Sequence, residues 1–241
     1  MGKLVWSLIA INTIAFLLLF SMPVEMRESL IALLAISSGT SLEIWRWLTS
    51  MFVHASASHL FFNMLGLYFF GKVVEEESQK WFIAAYFLSG LIGAFAFTLT
   101  SAEFAVGASA AIFGIIGFAM LFDPIRRIHL YVFPLPLGVI AIAFVIFESF
   151  VAAFQPMEFA GVGTVAHLGG LVTGAIMMLF YDPTRAAKGA LILIVSAVLL
   201  ILLAPFFSII STIGGLVMGG LDWLVGLVLY NIAGALGFLW I

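Results

Sequence analysis

Four residues in this sequence have the types and spacing that acyl transfer requires. They are Ser109, in Gly107-Ala108-Ser109-Ala110-Ala111, His167, in Ala166-His167-Leu168-Gly169-Gly170, and the pair His59 and Asn63. A serine hydroxyl is a poor nucleophile until a base takes its proton, and histidine is the usual base because its pKa lies near working pH. The tetrahedral intermediate of acyl transfer also needs hydrogen-bond donors for its oxyanion, and losing one can cost ~10²–10³ in rate. His59 and Asn63, at i and i+4, share one helix face and can supply two donors. The backbone N–H of Ser109, unpaired in the first turn of its helix, can supply a third.

The elements that must position these residues are apolar helices. The chain has 241 residues, of which 64% are hydrophobic and 9% charged, against about 25% charged in soluble domains. A water-soluble fold cannot hide that much apolar surface, so the sequence reads as an all-α, multi-pass membrane protein. The net charge of −3 and nine scattered Lys and Arg argue against a nucleic-acid partner. With no cysteine there are neither disulfides nor thiolate metal sites.

Segments of spanning length fall near 4–22, 58–71, 81–100, 107–122, 133–155 and 163–181, with one or two more within 189–241. The first, behind Lys3, lacks an A-x-A-like cleavage site and reads as a retained helix. The seven-residue piece Leu30 to Ile36 cannot span and is expected at the interface or against the bundle. A core over 1–186 followed by a hydrophobic extension over 187–241 is the expected domain organisation, with Pro205 separating two possible terminal helices and Asp222 as a boundary marker.

Depth links the helices to the chemistry. From Ser109 to Asp123 is fourteen steps, ~21 Å at ~1.5 Å per residue, whereas the hydrocarbon core is ~30 Å thick. Counting from Lys72 places His59 at ~20 Å, and counting from Asp182 places His167 at ~22 Å. The candidates therefore share one layer below one surface. Cytoplasmic loops hold the excess of positive residues, and a cytoplasmic N-terminus puts Arg27 and Arg46 outside and the other seven Lys and Arg inside. The polar layer then lies toward the outer face. Gly170 and Gly174 form a GxxxG face that can pack closely on Ala110 and Gly114, bringing Ser109 beside His167.

These residues resemble those of the rhomboid intramembrane serine proteases. The resemblance runs through Glu43-x-Trp45-Arg46, His54, His59-xxx-Asn63, Gly71 with Glu75, Gly107-x-Ser109, Gly114 and Ala166-His167-xx-Gly170-xxx-Gly174, over roughly residues 1–182. It implies a six-helix core with a Ser109–His167 dyad and an oxyanion site of His59, Asn63 and the Ser109 amide. It further implies transmembrane protein substrates cleaved near their outer end at small residues, without metal, nucleotide or other cofactor. The Trp45-Arg46 loop would be structural. Two residues depart from the family pattern: Ala110 follows the serine where glycine is common, which could tighten the groove, and Phe113 replaces a common tyrosine that stacks on the histidine.

Other polar residues carry smaller expectations. Glu148 is expected in the outer leaflet, where it could influence substrate entry at the fifth span. The run Glu75-Glu76-Glu77 reads as a solvated loop, with Glu75 capping the turn that follows. His54 is expected to hydrogen-bond the loop backbone, and His129 to lie too far from Ser109 to take part. Two further function classes compete with the enzyme: a catalytically silent relative that binds transmembrane helices, and a transporter or channel, which would distribute polar groups along a whole pathway. A metal-dependent hydrolase lacks support, since there is no H-E-x-x-H.

Overall fold

The computed structural model of the chain describes residues 2–100, 103–130, 133–142 and 162–196, with a few single positions beyond. Contacts divide the chain into two compact units, Met1–Leu193 and Ile194–Ile241, and the architecture below is that of the first. Its helices are α1 (Lys3–Phe20), α2 (Val24–Leu34), α3 (Trp45–Thr49), α4 (Ala57–Glu77), α5 (Gln79–Thr98) and α6 (Ser109–Phe122). A hairpin of β1 (Arg127–Leu130) and β2 (Phe133–Pro136) follows. Residues 137–142 are helical (α7), α8 covers Val162–Tyr181, and a further helix starts at residue 183.

Among the described residues, three helices are long and apolar enough to cross a membrane: Lys3–Phe20, Gln79–Thr98 and Gly163–Tyr181. The 21-residue α4 also has the length, but its last turns carry Lys72 and three glutamates. The 14-residue α6 is too short to cross unaided, as its sequence anticipates. It compensates by lying in the middle: every residue from Ala110 to Ala119 is buried, and α4, α5 and α8 pack around it. A helix apolar on all sides needs such surroundings.

Small residues permit the closest of these contacts. A Cβ at Gly170 would collide with the carbonyl oxygen of Ala110, one at Gly174 with that of Gly114, and one at Gly117 with that of Leu171. The expected packing of the GxxxG face of α8 on Ala110 and Gly114 is thus present. With little hydrophobic gain available between helices in lipid, close packing of this kind is what holds them together.

The structure corrects the sequence reading in two places. The span expected from 133 begins at Leu137 instead, because Phe133-Pro134-Leu135-Pro136 forms β2. Each proline lacks an N–H and biases the residue before it toward extended backbone, which suits a hairpin and opposes a helix. The glutamate run is a set of anchors rather than a solvated loop. Glu75 is buried, and its carboxylate accepts hydrogen bonds from the Leu4 and Val5 amides at 2.8 and 3.0 Å. It therefore caps α1, not the turn after α4; that turn is capped by Ser78, which accepts from the Trp81 amide. Glu76 accepts from Arg126 at 2.5 Å, and Glu77 from the Tyr181 hydroxyl at 2.6 Å and Arg185 at 3.1 Å.

The His54 ring is fully buried, and the loop backbone at Phe52 hydrogen-bonds its imidazole. Glu148, the end of the fifth span and the number of helices in 189–241 lie outside the described residues. Arg46 is structural, as anticipated: it donates to the Ala32 and Ala35 carbonyls at 2.6 and 3.1 Å while pairing with Glu43 at 2.7 Å. Those carbonyls end α2, where a cation complements both the free acceptors and the helix dipole.

Candidate active site

Ser109 is the first residue of α6, and its Oγ lies 2.7 Å from His167 Nε2 on α8. The approach of the two helices decides this pair, since the residues are 58 positions apart in sequence. Phe113, one turn after Ser109, stacks on the imidazole with centroids 4.4 Å apart and planes within 6°. On its own helix the imidazole passes over Gly163, where a Cβ would stand 2.9 Å from the ring's Cε1. The histidine is therefore confined between an aromatic face and a glycine.

His59 and Asn63 approach from α4. Ser56 caps this helix, its hydroxyl accepting from the His59 amide at 3.1 Å. Asn63 Nδ2 donates one hydrogen to the His59 carbonyl at 3.0 Å, which leaves its second N–H for another acceptor. Both side chains converge on Gly107, two residues before the serine. A Cβ there would lie 2.7 Å from His59 Nε2 and 3.8 Å from Asn63 Nδ2. Gly107 also has φ +123°, a backbone conformation open to glycine and strained for other residues. Behind His59 the buried His54 ring makes an edge contact at 5.1 Å. Burial, and secondarily the neighbouring His59, push the His54 imidazole down to about 3, so it is neutral at physiological pH.

A cavity of about 50 Å³ opens beside Ser109 and His167. Ala110 borders it, but the expected tightening of the groove is relieved by a residue that sequence reasoning passed over. A Cβ at Gly93 of α5 would stand 2.6 Å from the Ala110 methyl and 2.7 Å from the Ala166 carbonyl, so the methyl occupies the recess that glycine leaves. The small-residue cluster Ser89-Gly90-x-x-Gly93-Ala94 was the available signal. Among the described residues no group of three or more His, Cys, Asp or Glu is placed to hold a metal ion.

With this geometry in hand, the Rhomboid domain family matches residues 41–184. The chain belongs to the rhomboid family. That stretch contains all four candidate residues and the packing of α4, α5, α6 and α8. Among curated relatives, Inactive RHOMBOID-like protein 8 of Arabidopsis thaliana is 36% identical over 134 residues, covering 54% of this chain and 36% of that protein. Rhomboid protease GluP of Bacillus subtilis is 33% identical over 167 residues, covering 68% of this chain and 31% of that protein. Rhomboid-like protease 3 of Toxoplasma gondii is 28% identical over 192 residues, with 69% and 68% covered. The chain thus spans about a third of the first two relatives and about two thirds of the third. This rhomboid is accordingly an all-α, multi-pass membrane protein, from a family that includes both proteases and a protein named inactive.

Proposed function

We propose that this rhomboid is an intramembrane serine endopeptidase with Ser109 as nucleophile and His167 as general base. The observation that carries the reading is the 2.7 Å contact between Ser109 Oγ and His167 Nε2, within the range from which a base can take the hydroxyl proton.

In this mechanism Ser109 Oγ bonds to the scissile carbonyl carbon as its proton passes to His167 Nε2, and the carbonyl oxygen becomes an oxyanion. The Ser109 N–H, the free N–H of Asn63 and the His59 ring are its donors, preorganised by helix starts and by the approach over Gly107. The intermediate collapses as the C–N bond breaks, and the departing amine takes the proton held by His167. Water then attacks the acyl-enzyme carbonyl carbon and gives its proton to Nε2. The Oγ–C bond breaks, the serine regains its proton from Nε2, and the product leaves as a carboxylic acid that gives its remaining proton to solvent. No cofactor enters these steps.

The 14 residues of α6 amount to ~21 Å. With the inner end of the helix at one interface, this length sets Ser109 roughly 9 Å below the other. Water-soluble proteins do not reach that layer, so the reading assigns transmembrane segments as substrates, cut near their outer end where they unwind, with the N-terminus cytoplasmic.

A fluorophosphonate probe tests the chemistry without a known substrate. Labelling of the detergent-solubilised full chain is expected, and its loss in both Ser109→Ala and His167→Ala establishes the dyad. A folded wild-type chain that takes no label would refute the enzyme reading. It would favour a silent protein that binds transmembrane helices, a role for which the inactive relative at 36% identity gives specific ground.

A further inference from the structure

We propose that Met51 sets the size of the side chain admitted beside the nucleophile, an inference that rests on Ser109 having that role. The cavity of about 50 Å³ next to Ser109 is lined by Ile36, Ser50, Met51, Gly90 and Ala105, among others. Backbone hydrogen bonds fix much of its wall. Ile36 and Ala105 exchange N–H···O bonds at 3.0 and 2.8 Å, and the Gly107 amide donates to the Ser50 carbonyl at 2.8 Å. None of these atoms can retreat without breaking a bond.

Met51 is the exception. It is 2% exposed, and its thioether end rests against Gly90 of α5, where a Cβ would clash with Met51 Cε and stand 2.6 Å from Sδ. Gly90 thus provides the recess that keeps the methionine tip out of the cavity. An unbranched thioether has three rotatable bonds and adapts to the space it is given, so the wall yields at this residue. One water needs about 10–15 Å³ measured in this way, so the cavity holds roughly three or four heavy atoms. That suits a methyl to a small branched group and excludes a phenyl ring. Truncating Met51 to alanine removes about three more heavy atoms from the wall, roughly the deficit for an aromatic ring.

The test uses two peptidyl diphenyl phosphonates, alike except that the carbon next to phosphorus bears a methyl in one and a benzyl in the other. In each reaction Ser109 Oγ bonds to phosphorus, and one phenoxide leaves with the proton that His167 has taken. The readout is the ratio of second-order inactivation rates on the solubilised full chain. Wild type is expected to prefer the methyl probe, and Met51→Ala to shrink that preference by about 10-fold or more, chiefly by accelerating the benzyl probe. Gly90→Ala should act oppositely, driving the Met51 tip into the cavity and slowing even the methyl probe severalfold.

A ratio unchanged in Met51→Ala, in a chain that still takes the fluorophosphonate, would overturn this inference alone. Should that variant fail to fold, Gly90→Ala decides, and an unaltered methyl-probe rate there would overturn it equally. Failure of every phosphorus probe on wild type would overturn the enzyme reading together with this one.

Discussion

In the proposed dyad the base on one helix must be held in orientation toward the nucleophile on another, and Phe113 stacks on the imidazole. Its ring covers one face of His167 at 4.4 Å, and an aromatic stack of this kind is worth about 0.5–1.5 kcal/mol beyond its buried area. If the stack acts on the reactive orientation, Phe113→Ala should slow fluorophosphonate labelling about 2–10-fold at unchanged expression. Phe113→Tyr should stay within about 2-fold of wild type, because the ring rather than a hydroxyl makes the contact. A loss in Phe113→Tyr equal to that in Phe113→Ala would show that stacking is not what matters. The sequence made the departure at 113 visible, whereas the recess at Gly93 that accommodates the Ala110 methyl could not be seen without the helix crossing.

At the scale of elements, α4 links the two ends of the molecule. Its first two turns carry His59 and Asn63, and its last turn carries three consecutive glutamates that reach three different parts of the chain. Glu75 holds the start of α1, Glu76 holds Arg126 after α6, and Glu77 holds Tyr181 at the end of α8 and Arg185 in the helix that follows. The exposed pairs of Glu76 and Glu77 contribute little individually, as surface ion pairs generally do. Glu75 differs because it is buried and accepts two backbone amides that would otherwise lack partners. Glu75→Ala should therefore cost about 1–3 kcal/mol, read as a lower midpoint of thermal denaturation in detergent, while Glu76→Ala should leave it almost unchanged. Equal effects of the two substitutions would contradict the assignment of Glu75 as the cap of α1.

For the whole molecule, orientation in the bilayer is the outstanding physical statement. The distribution of Lys and Arg favours a cytoplasmic N-terminus, and on that proposed topology the end of the bundle bearing Ser109 and His167 is the outer one. The chain contains no cysteine, so single substitutions give accessibility readings without background. Lys3 opens α1 and Glu28 lies in α2, beyond the far end of α1, and both are exposed. In cells, a membrane-impermeant maleimide should label Glu28→Cys and spare Lys3→Cys until the membrane is opened. The reverse pattern would invert the topology and place the dyad near the cytoplasmic face.

The sequence by itself determined the membrane class, most of the helix positions, the four candidate residues and the small-residue faces on which α6 and α8 meet. These are local consequences of apolar length and of polar groups too costly to place in lipid without purpose. It misread what depends on partners distant along the chain. Glu75 looked like part of a solvated run because its ligands, the Leu4 and Val5 amides, lie about seventy positions away. Nor did the sequence show that the His54 ring would also stand edge-on to His59. The start of α7 was misplaced because an apolar run hides the difference between a helix and a proline-bearing strand. Only the tertiary structure decided that Ser109 Oγ and His167 Nε2 stand at 2.7 Å and that Met51 meets Gly90. Close contacts between helices are fixed by where side chains are absent, and what fills a glycine's empty place is settled by the crossing of the helices.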